Sequence, residues 1–420
     1  RAADPARVFL RALLFTFSAP RAAPVAPPTT ALIFSLSTLL PHAMMILMSD
    51  LTLAAPETIN INPERLERAY AVLQRWVNAD RIPAAALCVG RNGRIVQPRF
   101  FGKQRPEPGS PPLRDDALFL IASITKPVTA TAVMLLVERG QLSLLDRVAE
   151  FVPAFAQNGK QDIRVIHLLT HTSGLPDQLP NNIQLRQQHR PFSAFIDATC
   201  ALRPDFPAGT QVVYQSMGTA MLAEIVHQVS GKTLREFLRE EVFTPLGMSD
   251  TSLGWEPNRR ERIAAVRLPR DQMGTDWNWN SPYWLGFGAP WGGLVTSPAD
   301  LARLCLMMLS GGTFGGVRVL SAATVRAMTT NQLATLPLVP EEERRCRPWG
   351  LGWRLSWPGN PSTFGDLLGP RTFGHWGATG TLCWIDPDGQ AFMILFTTQP
   401  LEADGRFLAR VANTVAAALV

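Results

Sequence analysis

Apolar residues along this chain follow two rhythms. In "NPERLERAYAVLQRWVNAD" (62–80), Leu66, Ala69, Tyr70, Leu73 and Val77 recur at helical spacing, which predicts an amphipathic helix. "AAALCVG", "RNG" and "RIVQ" (84–97) read as two strands joined by an Asn-Gly turn. Residues 123–139 are apolar nearly all round, so the helix they predict is buried, and Gly140 supplies its stop. From about 140 to 300 the pattern is mostly helical, clearest in 218–230 and 234–243. "TLCWIDPDGQAFMILFTT" (381–398) then predicts two strands around an Asp-Pro-Asp-Gly turn, followed by the closing helix "GRFLARVANTVAAAL". Helix and hairpin open the body; hairpin and helix close it. The order predicts an α/β fold of the α+β type: an antiparallel sheet flanked by helices, built from both chain ends, with a mostly helical region inserted.

Residues 1–53 obey neither rhythm and are expected to form an extension to a body spanning 54–420. Within that body the sheet region is expected at about 54–122 and 300–420 and the helical region at about 123–299. "APRAAPVAPPTT" (19–30) cannot build a core, and the apolar run 31–48 is broken by Pro41 and His42. A signal peptide wants basic residues directly before its apolar stretch, and a membrane anchor wants about 20 clean apolar residues. Neither fits well, so upstream or processed sequence is the preferred reading. It leaves a cytoplasmic body; a signal peptide would place it in the periplasm or outside. Membrane contact is expected only if 31–48 is a real anchor.

Charge adds little. Of the net +6, residues 1–49 hold +3 through Arg1, Arg7, Arg11 and Arg21 against Asp4. No basic stripe with interleaved aromatics appears, so nucleic acid is not an expected partner. The five cysteines (Cys88, Cys200, Cys305, Cys346, Cys383) have neither metal spacing nor the look of a disulfide framework. His167 and His171 form an H-x-x-x-H pair without the glutamate of a metalloprotease, so no metal is expected.

The candidate chemistry lies in "IASITKPVTA" (121–130). Only four of the 40 basic residues are lysine, and one of them, Lys126, follows Ser123 by three positions. Residues i and i+3 share a helix face. Serine needs a neighbouring base to act as a nucleophile, and a buried amine is one where a guanidinium is not. A capping serine beside a solvated lysine is the bland alternative.

Further stretches decide between them. "SITK", "HLLTHTSGLPD" (167–177), "VFTPLGMSDTSL" (242–253), "WGGLVTSPADLARL" (291–304) and "FGHWGATG" (373–380) occur in this order. Together they resemble the serine β-lactamase and penicillin-binding-protein superfamily, with class C β-lactamases, family VIII carboxylesterases and D-amino-acid peptidases nearest in appearance. The likeness covers roughly residues 60 to 418 and implies a β-lactamase/transpeptidase-like fold. It implies that Ser123 is the acylated nucleophile, Lys126 its proton acceptor and Tyr214 their partner. Ser123 and Ala378 would supply the oxyanion-hole N–H groups, and no metal or organic cofactor is called for.

Two motifs depart from the family pattern. Tyr-x-Asn is here Tyr214, Gln215 and Ser216; Lys-Thr-Gly is here His375, Trp376 and Gly377. A neutral histidine attracts a substrate carboxylate less than lysine does, and serine reaches less far than asparagine. Both changes favour a small ester, or an amide, over a charged lactam. A β-lactamase or D-amino-acid peptidase, including a D-Ala-D-Ala carboxypeptidase, and a non-catalytic scaffold of the same fold are the alternatives. Trp277, Trp279, Tyr283, Trp284, Phe287 and Trp291 either wall an acyl pocket or pack a loop; with Ser216 and Gly292, Trp284 and Trp291 are the candidate pocket residues. His171, Ser173 and Gly174 are expected to shape a turn near the site. Gly292 and Gly293 are expected to allow close backbone approach.

Overall fold

The two ends of the chain meet in one sheet. The computed structural model describes residues 51–356, 364–401 and 406–420, so the expectations for 1–50, including the apolar run 31–48, lie outside the described residues. In chain order, α1 (Pro63–Asn78) leads to β1 (Ala84–Arg91), β2 (Arg94–Ile95) and β3 (Arg99–Gly102), then β4 (Phe119–Leu120) and α2 (Thr125–Glu138). The helical region holds α3 (Asn182–Gln187), α4 (Phe192–Ala201), α5 (Met217–Ser230), β5 (Ser252–Leu253) and α6 (Pro282–Phe287). Next come β6 (Leu294–Thr296), α7 (Pro298–Leu309), β7 (Arg354–Leu355), β8 (Phe373–Gly377), β9 (Thr381–Asp386), β10 (Ala391–Thr397) and α8 (Arg406–Ala416).

The main sheet has seven strands in the order β2-β1-β10-β9-β8-β7, with β3 also on β1. Its pairings are antiparallel, with Cys88 opposite Ile394 and His375 opposite Cys383. Strands β1, β9 and β10 show almost no polar alternation because both of their faces are buried. Successive residues point to opposite faces. Ala85, Leu87, Val89, Trp384, Met393 and Leu395 join the core under α1 and α8, with Leu73, Leu408 and Val411. Ala86, Cys88, Cys383, Ile394 and Phe396 join the core of the helical side, with Val128, Val133 and Met221. The result is an antiparallel sheet between helical layers, as the rhythm predicts.

The details differ at several places. In α1 the buried face includes Trp76, while Val77 is only half-buried. The Asn-Gly turn has both residues at positive φ, Asn92 at 52° and Gly93 at 77°, which suits a tight hairpin. Leu53 bridges Ile95, so the described body begins before residue 54. Helix 234–243 ends in a π turn over Arg239–Phe243. Cys88, Cys200, Cys305 and Cys383 are buried free thiols and Cys346 is half-buried. Among the described residues no helix is long and apolar enough to cross a membrane.

Candidate active site

Ser123 lies in a single 3-10 turn, Ala122–Ile124, ahead of α2 and not at its N-cap. Ala122 holds a left-handed conformation, φ 46°, unusual for a residue with a Cβ. Three threonines pin this turn. Thr379 and Thr381 donate hydroxyls to the carbonyls of Leu120 (2.7 Å) and Ile121 (2.9 Å), and Thr125 to that of Ala122 (2.6 Å). Gly377 is needed where β8 crosses it: a Cβ there would sit 2.3 Å from the Ile121 carbonyl oxygen.

Lys126 stands one turn beyond the serine, with Nζ 3.1 Å from Ser123 Oγ and 3.3 Å from the carbonyl oxygen of Trp291. It is 2% exposed. Burial pulls its pKa from 10.5 down to about 7, with Asp177 opposing by attraction. The amine is therefore poised near neutrality, as a general base needs to be. Nζ also lies 4.4 Å over the Tyr214 ring.

The Tyr214 hydroxyl is buried and meets no partner at hydrogen-bonding geometry, although Ser123 is near enough to offset some of the effect of burial. Burial moves the phenol pKa far upward, so the group stays protonated. The turn expected from His171 and Ser173 is what holds this tyrosine. His171 packs on its ring at 4.8 Å, accepts the Gln215 N–H at Nδ1 (3.2 Å), and takes a backbone hydrogen bond from Val213 at its carbonyl (3.0 Å). The Ser173 hydroxyl donates to Gln215 Oε1, and Gly174 has φ 81°. His167 Nδ1 accepts the Arg164 N–H at 3.1 Å. The Nδ1 atoms of both histidines thus accept backbone N–H groups, and no metal-type cluster occurs among the described residues.

Ser216 does not reach Lys126. Its hydroxyl donates to Asp177 Oδ1 at 2.5 Å. In the third motif His375 is fully buried, its Nδ1 2.7 Å from the Trp376 carbonyl and its Nε2 without a partner. Burial and the nearby Lys126 charge lower its pKa to about 3, so it is neutral. It lies behind the cleft, against the Tyr214, Trp349 and Trp376 rings.

Ser123, Tyr214, Ser216, Trp284, Trp291, Gly292, Trp376 and Ala378 line one cavity of about 500 Å³. His375 and Gly377 shape it from behind. Among the aromatic cluster, Trp279, Trp284 and Trp291 face this space. Phe287 instead packs on Phe195 and Trp284, and Tyr283 donates to the Arg190 carbonyl at 3.0 Å. The stretch is thus divided between residues that line the cavity and residues that pack away from it. Gly293 is required by close approach, with a Cβ meeting Ala289 N at 2.3 Å, but Gly292 is not, since a Cβ there stays 3.8 Å from Ala122. Two charged lining residues carried no role in the sequence reading: Asp177, inside a quoted motif, and Arg186, with no signal around it. A larger cavity of about 740 Å³ between β7, β8 and α7 offers arginines but no serine–lysine pair.

The Beta-lactamase family model matches residues 66–417. The chain belongs to the β-lactamase family. A relative from Escherichia coli (strain K12), described as "Putative D-alanyl-D-alanine carboxypeptidase", is 28% identical over 391 residues, covering 83% of this chain and 86% of that one. In fold the chain is similar to a penicillin-binding protein homolog from Caulobacter crescentus, with TM-score 0.71 and 24% identity, covering 86% of this chain and 99% of that one. It is also similar to a family VIII carboxylesterase, with TM-score 0.67 and 22% identity, covering 84% and 98%. In this β-lactamase-family chain, Tyr214 and Ser216 of the second altered motif and Trp376 of the third line the same cavity as Ser123, while His375 is buried behind it.

Proposed function

We propose that the protein is a serine hydrolase that forms an acyl-enzyme at Ser123 on small ester or amide substrates. The observation that carries this reading is a buried amine, pKa about 7, at 3.1 Å from a hydroxyl that lines a cavity. Neutral Lys126 takes the Ser123 proton as Oγ attacks the carbonyl. The carbonyl π electrons move to oxygen, where the N–H groups of Ser123 and Ala378 stabilise the charge. As the intermediate collapses, the leaving group takes a proton from Lys126. Tyr214, held protonated by burial, passes it on and is not itself the base. Water then attacks the acyl carbon as Lys126 takes its proton. The tetrahedral intermediate collapses, the bond from the acyl carbon to Ser123 Oγ breaks, and Oγ takes the proton back from Lys126 as the acid leaves. The departures in the second and third motifs favour esters, since His375 offers no charge. The name of the E. coli relative favours a second reading, a D-alanyl-D-alanine carboxypeptidase.

The test is turnover of 4-nitrophenyl acetate and butyrate by wild type and Ser123→Ala, with intact mass after exposure to esters, D-peptides and penicillins. Ester turnover is expected to fall by about 10³-fold or more, with an acyl adduct on wild type alone. Equal turnover by both proteins rejects the reading; an adduct from D-peptides but not from esters promotes the second.

A further inference from the structure

Arg186 is buried in the wall of the cleft without an anion. It is 6% exposed, and it sits on α3, on the helical side, whereas Trp376 and Ala378 reach the same cavity from the sheet. Its Nε has no hydrogen-bond partner. No carboxylate forms an ion pair with it among the described residues; Asp271 is felt only at a distance. Its guanidinium lies 3.8 Å over the Trp284 ring, which compensates a cation only in part. A buried charge with no counter-ion is costly, and protein interiors seldom keep one. Asp177, the other charged lining residue, is already engaged by the Ser216 hydroxyl and by attraction to Lys126.

We infer that Arg186 is a specificity-determining residue that binds a carboxylate carried by the substrate, so that the preferred substrates are anionic esters or amides. The planar guanidinium fork matches a carboxylate with two parallel hydrogen bonds, and Trp284 fixes its plane. The third motif offers no cation, because His375 is buried and neutral; among the described residues Arg186 is the only arginine or lysine lining the cavity besides the buried amine at its base. Burial lowers the Arg186 pKa to about 10, which leaves it charged at neutral pH. This inference rests on the serine-hydrolase reading and narrows its substrate class.

The test compares matched esters that differ by one carboxylate. On the acyl side, 4-nitrophenyl hemiglutarate is set against 4-nitrophenyl butyrate; on the leaving-group side, 3-carboxyphenyl butyrate against phenyl butyrate. Wild type is expected to favour the anionic member of at least one pair, mainly through KM, and to be inhibited competitively by glutarate. In Arg186→Met the anionic-to-neutral ratio of kcat/KM is expected to drop about 10- to 100-fold, with Arg186→Lys recovering part of it. Turnover without preference in either pair, and without glutarate inhibition, overturns the inference using wild type alone, even if Arg186→Met does not fold. An unchanged ratio in folded Arg186→Met overturns it as well. No turnover of any ester by wild type removes the serine-hydrolase reading and this inference with it.

Discussion

Lys126 and Lys160 are both buried in the helical half of the molecule, yet their surroundings ask opposite things of an amine. Lys160 is fully buried and donates to the carbonyls of Gln157 (2.8 Å), Cys200 (2.9 Å) and Leu202. Three acceptors use three N–H bonds, and two of them close the C-terminal end of α4, where the helix dipole favours a cation. Burial lowers its pKa too, but every contact it makes rewards the charged form. Lys126 has one carbonyl and one hydroxyl. A hydroxyl accepts from an ammonium or donates to an amine, so Lys126 keeps its contact with Ser123 when the proton leaves. Burial alone therefore does not make a base; the chemistry of the partners decides.

Replacing each lysine breaks the comparison in a different observable. Lys126→Met is expected to lower ester turnover by about 10²- to 10⁴-fold. It is expected to raise stability at neutral pH and below. The folded pKa, about 7, lies below the unfolded 10.5, so between these values the unfolded chain binds a proton that the folded chain does not. The stability that neutral Lys126 contributes is complete above pH 10.5 and is lost as pH falls through 7. Urea midpoints of wild type and variant should thus diverge at pH 6 and converge near pH 10.5. A variant that is less stable at pH 6 would contradict a depressed pKa.

Lys160→Met should do the reverse. Orphaned carbonyls are expected to cost about 1–3 kcal/mol of stability, measured by urea unfolding, while the folded fraction turns over ester near the wild-type rate. Loss of turnover without loss of stability would place Lys160 in the chemistry instead. The smallest effect sharpens the electrostatics of Lys126. Asp177 raises its pKa, so Asp177→Asn should move the acid limb of kcat/KM, centred near pH 7 in wild type, to lower pH by less than about one unit. A shift to higher pH would show that Asp177 acts on another group.

Much of the site was legible. The Ser123–Lys126 pair was visible because a 3-10 turn running into a helix sets i and i+3 on one face, as a helix alone would. The order of motifs around it pointed to Tyr214, Trp376 and Ala378, and all of these line the cleft with Ser123. The role of Ser216 was not legible: its hydroxyl reaches Asp177, 39 positions away in sequence. Nor did the sequence mark Lys160 as different from any surface lysine, since the carbonyls it binds at Cys200 and Leu202 lie 40 and 42 residues downstream.

Local periodicity determined the helices, the hairpins and the sheet assembled from both chain ends, because side-chain rhythm and turn chemistry act within a few residues. Which face of β1, β9 and β10 met which core was open, since both faces are apolar and only the helices packed on either side tell them apart. The protonation of Lys126, the burial of His375 behind the cleft and the isolation of Arg186 were decided by tertiary structure alone. Each depends on how much water and which charges surround a group, and those neighbours come from distant parts of the chain.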